Sequence, residues 1–179
     1  MSDASVLKEA ELRGIAIRLA VTMESVLMNI VYSSNSEQYF ISPSPSLKLK
    51  GLMFSHKIER VKEVLQKYHP DLLEEYNQLF IDLKDFKEFR NQIAHCVFSW
   101  GSSITEFEIW EVAEDENKFQ FYKPVKCSVY DAYKVMAKAI EIIIPPLTKL
   151  LQQVEDRLKV SDRQLFDILK QVDNFPPSN

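Results

Sequence analysis

An apolar seam spaced alternately by four and three residues opens this chain and limits its fold more than any other feature. Leu12, Ala16, Leu19, Met23, Val26 and Ile30 recur in that rhythm between about residues 5 and 33. An α-helix turns about 100° per residue, so this spacing stacks the side chains on one face. Ile17, Val21, Met28 and Val31 add a second apolar face. A surface helix normally carries one stripe. Two readings follow: a helix covered on one side by its own bundle and on the other by a partner chain, or the central helix of a larger monomeric bundle.

The period then fades over residues 33–51, where serines, the run Ser42-Pro43-Ser44-Pro45 and Gly51 read as a loop. Phe54, Ile58, Val61, Leu65 and Tyr68 mark a second helix over about 54–69. Pro70 suits the first turn of a third, over about 71–95. Leu72, Tyr76, Leu79, Leu83 and Phe86 line its seam, whose next two positions are Arg90 and Ile93. An arginine thus stands where the pattern asks for an apolar side chain, and such local violations mark candidate sites.

From Val97 the period shortens. Val97 to Trp100, Thr105 to Val112 and Lys118 to Lys123 are aromatic and β-branched, with partial alternation, and predict a small antiparallel meander over about 97–126. Ser128 and Asp131 resemble a capping box opening a helix over about 129–160. Pro145-Pro146 must kink or end that helix after Ile144. Ser161 and Gln164 form a second capping box for a short helix over about 162–172, and the tail beyond is expected to fray. A length of 179 residues suits one domain, 1–179. The fold class is mainly α: an up-down helical bundle with a β-meander inserted before the last long helix.

Several function classes are closed. The three glycines stand too far apart to write a phosphate-binding loop or a dinucleotide fingerprint. Cys96 and Cys127 have no CxxC around them, so no four-ligand zinc site is suggested. The first residues are acidic where a signal peptide would be basic and then apolar. The longest uncharged run, Ser25 to Ser36, has 12 residues, whereas a spanning helix needs about 20. The expectation is a soluble cytoplasmic protein without membrane contact, metal or cofactor. Net charge is −4, yet residues 47–69 are net positive through Lys48, Lys50, Lys57, Arg60, Lys62 and Lys67. Such a cluster attracts a phosphate backbone, which makes Lys48, Lys50, Lys57 and Arg60 candidate RNA contacts. Glu59 and Glu63 interrupt it, so ordinary pairs along a solvated helix are the competing reading. Trp100 and Trp110 could stack bases or pack the meander.

One stretch carries chemistry: Phe89-Arg90-Asn91-Gln92-Ile93-Ala94-His95. An arginine followed by four residues and a histidine, with a polar residue directly after the arginine, resembles the HEPN motif (higher eukaryotes and prokaryotes nucleotide-binding). The long first helix, the Phe54 to Ile58 helix start and the long last helix agree with it, over about two-thirds of the chain. The resemblance implies a bundle that forms a homodimer with its motif helices facing each other, and a metal-independent endoribonuclease site shared between two copies. His95 would then act as general base or acid on a ribose 2′-OH or leaving oxygen, Arg90 would stabilise charge on the phosphate, and Asn91 would orient either. Imidazole titrates near neutrality and guanidinium stays charged, so the residue types suit cleavage of single-stranded RNA. In the family such activity commonly serves toxin–antitoxin or antiphage defence, which implies a neutralising antitoxin partner. The alternative is a non-catalytic dimerisation or partner-binding scaffold, including one that docks beside a nucleotidyltransferase. On an ideal helix Arg90 and His95 point about 140° apart, and Asn91 and His95 about 40° apart. Arg90 could equally pair with Asp131 or Glu24 across the bundle, and His95 could simply complement the helix dipole.

Overall fold

The structure, a computed structural model, describes residues 3–34, 53–101, 103–114 and 120–173. Four helices come first: α1 (Asp3–Ser33), α2 (Phe54–Tyr68), α3 (Pro70–Glu75) and α4 (Asn77–His95). Strands β1 (Val97–Trp100), β2 (Glu106–Glu114) and β3 (Gln120–Ser128) follow, then α5 (Val129–Lys138), a π-helical turn (Ala139–Ile143) and α6 (Ile144–Asp173). The mainly helical class and the antiparallel meander are as the periodicities predict. Most of the loop read at 33–51, and the tail, lie outside the described residues.

The chain divides into two compact units, one of Met1–Ser25 with Asn77–Pro146, the other of Val26–Tyr76 with Leu147–Asn179. In the first, the seam residues Leu12, Ala16, Leu19 and Met23 of α1 are buried, as are Leu79, Leu83, Phe86 and Ile93 of α4. The sheet has the order β1-β2-β3. Its register places Phe98 opposite Ile109 and Trp100 opposite Phe107. Phe98, Phe107 and Ile109 are buried, and the Phe98 and Phe107 rings stack with centroids 4.6 Å apart. Trp100 joins that stack, 5.2 Å from Phe107, so it packs the meander. Ser128 caps α5 as its sequence suggests: its hydroxyl accepts from the backbone N–H of Tyr130 and Asp131.

Of the two outcomes expected at the prolines, a kink or an end, the end does not occur. The helix neither ends at Ile144 nor breaks at Ser161; α6 continues to Asp173 with Pro145 and Pro146 in its first turn. Proline has no N–H, and its ring crowds the carbonyl four residues back. The π turn directly before them absorbs this, with the Ile144 N–H bonding the Ala139 carbonyl five residues back.

In the second unit α2 buries Phe54, Ile58, Val61 and Leu65, α3 buries Leu72, and α6 buries Leu147, Leu150 and Val154. The helix read as continuous over 71–95 is two helices. Tyr76 leaves helical geometry at φ −100° and ψ 18°, yet stays buried, so the seam survives the break. Asn77, of a type that competes with the helical backbone and favours helix starts, opens α4. On the surface of this unit Arg157 donates both Nη1 and Nη2 to the Asp71 carboxylate.

By length and composition α1 could cross a bilayer: an 18-residue window has a mean hydropathy of 1.5. The uncharged-run argument missed this because Arg18 and Glu24, inside the helix, interrupt the run without preventing a high average.

Candidate active site

All three motif residues ride on α4. Arg90 and Asn91 are half-buried, and His95 is the exposed last residue of the helix. Arg90 Nη1 donates to Asn91 Oδ1 at 3.1 Å. Its Nε is buried without an acceptor. No carboxylate pairs with Arg90 among the described residues, so the bond to Asp131 or Glu24 that would make it a register pin is not formed. A guanidinium that is partly desolvated and has no counter-charge keeps its capacity for charge-assisted bonds to an anion.

The structure brings Arg90 and Asn91 together but does not bring Arg90 to His95. The α4 ladder is regular to its end, where the Cys96 N–H still bonds the Gln92 carbonyl at 3.0 Å. Side chains at 90 and 95 therefore leave one helix about 140° apart, as the spacing dictates.

The helix end itself is fixed by a residue the sequence reading passed over. Arg13, on α1, donates Nη1 to the carbonyls of Ile93 (2.8 Å) and Ala94 (2.6 Å), and Nη2 to that of Cys96 (2.8 Å). The first two belong to the last turn, whose carbonyls have no partner within the helix, and the third lies just past its end. Glu9 neutralises the guanidinium, accepting from Nε at 3.0 Å and from Nη2 at 2.8 Å. Glu9 also accepts from Trp100 Nε1 at 3.4 Å. The guanidinium lies 4.6 Å from the Phe98 ring centroid, in cation–π range. One side chain thus ties α1, the end of α4 and β1 together, and it sets where His95 stands. The only sequence signal was the Glu9/Arg13 spacing of four, which reads equally as an ordinary surface pair.

The basic candidates belong to the other unit or fall outside the description. Lys48 and Lys50 lie outside the described residues. Lys57 turns inward on α2 and is only 6% exposed, which removes it from a basic surface strip. Arg60 is exposed but bonds Glu63 at 2.8 Å, and Lys62 reaches Glu59 at 3.5 Å. The charge pattern of α2 is that of a solvated helix.

Elsewhere in the first unit a cavity of about 280 Å³ opens beside the sheet, lined by Trp100, Gly101, Phe107 and Lys126 among others. Glu106 and Glu108 share its lining, a mixed charge that does not select an anion. Among the described residues no three His, Cys, Asp or Glu side chains group as metal ligands. Cys96 and Cys127 are not joined by a disulfide. No protein-family model, curated protein or solved structure matches this chain.

Proposed function

We propose that this protein is a HEPN-like, metal-independent endoribonuclease that cleaves single-stranded RNA at a cleft formed by two copies. One observation carries the reading: a half-buried arginine without a carboxylate partner, braced by Asn91, five residues before an exposed histidine at an anchored helix end. Arg90 holds the phosphate. His95 takes the 2′-OH proton or supplies a proton to the leaving oxygen. Since Arg90 and His95 diverge on a single helix, the site is completed when His95 of one copy faces Arg90 of the other.

Labelled single-stranded RNA incubated with EDTA and the unmodified protein is expected to give products ending in 2′,3′-cyclic phosphate. His95→Ala is expected to lower the rate by about 100-fold or more. A folded protein that cuts no RNA, or a His95→Ala variant as active as the original, would overturn the proposal. The divergence of Arg90 and His95 favours a second reading, a partner-binding scaffold, whose mark is binding without cleavage.

A further inference from the structure

On its outward side α1 carries a second apolar stripe that the fold leaves open. Leu7 is 70% exposed, Ile17 41% and Val21 58%; Ala10 and Gly14 between them are exposed too. Their spacing of three, four, three and four holds all five within an arc of about 80°, roughly 170° round the helix from the buried seam of Leu12, Ala16, Leu19 and Met23. The stripe repeats every seven residues, with Leu7, Gly14 and Val21 in one register and Ala10 and Ile17 in the other. Gly14 is its midpoint. Glycine weakens a helix interior, and a Cβ at this position would meet nothing within 4 Å. Nothing inside the chain therefore calls for a glycine there, whereas a second backbone approaching from outside would.

The flanking charges identify the occupant. Glu11 and Arg18 are exposed on one edge of the stripe, seven residues apart. Arg18 has no acidic partner among the described residues; Glu11 is held by Lys8 at 2.7 Å. When two such helices pack antiparallel about a two-fold axis, equivalent edge positions face each other. With the axis beside Gly14, Glu11 of each copy meets Arg18 of the other, Leu7 meets Val21, and the two Gly14 backbones cross at closest approach. A parallel pairing would instead set that edge against the one holding Arg13, whose guanidinium is committed to Glu9 and to the carbonyls at the end of α4, whereas the Glu11–Lys8 pair is an exposed contact between neighbouring turns that can exchange. We infer that the outward face of α1 docks antiparallel on the same face of a second copy, with the two-fold axis at Gly14. A bilayer is the rival occupant, given the hydropathy of α1. Its buried seam argues against that: lipid cannot surround a helix whose other face is core.

The inference deepens the composite-cleft reading, on which its consequence at His95 rests. Arg13, next to Gly14, anchors the end of α4, so each copy brings its His95 to the level of the axis. Its own test reads mass rather than cleavage, and either can fail alone. Sedimentation equilibrium on the full chain should give a dimer. Val21→Asp should raise its dissociation constant about 100-fold, by placing a charge in a desolvated contact. Arg18→Glu should raise it about tenfold, by setting like charges opposite each other twice, and the double exchange Glu11→Arg with Arg18→Glu should return it to within about threefold of the original. Gly14→Leu, a change that favours the helix itself, should also weaken the dimer. A monomeric unmodified protein, a dimer indifferent to Val21→Asp, or a double exchange no better than Arg18→Glu would each overturn the inference. So would a monomer that floats with vesicles of phosphatidylcholine and phosphatidylglycerol and loses that binding through Val21→Asp.

Discussion

The two units treat their buried polar atoms differently. In the unit that contains α4, the one buried polar atom left without a hydrogen bond among the described residues is Nε of Arg90. The helix end beyond it has its carbonyls occupied by Arg13. In the unit that contains α2 and α3, Ser34 Oγ, His69 Nε2, Tyr76 Oη and Gln153 Oε1 are all buried without a partner. The charges that pair there, Asp71 with Arg157 and Arg60 with Glu63 among them, meet at the surface. Leaving a buried polar atom unsatisfied costs about 1–3 kcal/mol. A lone exception in an otherwise satisfied region falls on the motif arginine, the residue that the proposed cleavage would use. Several exceptions, at the end of α1, on either side of α3 and within α6, describe a region tuned less tightly.

The sharpest way to break this contrast is to remove Arg13. Arg13→Ala orphans the carbonyls of Ile93, Ala94 and Cys96 and leaves Glu9 without its counter-charge. Charge-assisted bonds of this kind carry more than neutral ones, so the expected loss is about 3 kcal/mol, read as a lowered urea midpoint. Arg13→Lys should recover less than half of it, because an ammonium cannot present a planar fork to three carbonyls. A loss below about 1 kcal/mol would mean the helix end is held by packing alone, and the argument that Arg13 sets the place of His95 would fall.

A second pair of variants sharpens the comparison. Tyr76→Phe in one unit and Arg90→Met in the other each remove a buried unsatisfied polar atom. Each should leave stability unchanged or raise it by about 1 kcal/mol, since a matched apolar group no longer bears that penalty. Their effects on RNA should diverge: cleavage and binding survive Tyr76→Phe and are lost in Arg90→Met. If Arg90→Met instead destabilises the protein by about 2 kcal/mol, Arg90 is a structural residue and the contrast between the units dissolves.

What the sequence made legible follows the range of the interactions involved. The seam residues Leu12, Ala16, Leu19, Met23, Leu72, Leu79, Leu83 and Phe86 are all buried, because helical period and burial are both local consequences of spacing. The strands and the Ser128 cap were readable for the same reason. The misfit of Arg90 within its seam was visible too, and it led to the motif. Arg13 was not, since its partners lie about 80 residues away and no periodicity encodes them. The π turn escaped because the rule that proline ends a helix says nothing of a ladder that widens first. Lys57 misled through its charge: composition counts an ammonium as surface, whereas α2 places position 57 beside Phe54, Ile58 and Val61 on its inward face.

The smallest expected effects come from pH, and they separate two groups in the second unit. Arg157 bonds the Asp71 carboxylate and holds it at about 2, below the ordinary 3.8. A depressed carboxylate contributes stability that is present above 3.8 and is lost as pH falls toward 2. His69 is also lowered, first by burial and then by the Arg157 charge, while Asp71 opposes the shift. The fold therefore prefers neutral His69, and its contribution is present above the ordinary 6.5 and is lost as pH falls below that value. Two windows result, and thermal midpoints measured across pH should resolve them. His69→Gln should flatten the upper window and leave the lower one in place. Asp71→Asn should erase the lower window and deepen the upper, because it removes the one charge that favours protonated His69 and leaves Arg157 uncompensated beside it. An upper window that Asp71→Asn leaves unchanged would show that His69 does not sense the Asp71–Arg157 pair, and a shallower one would reverse the sign of that coupling.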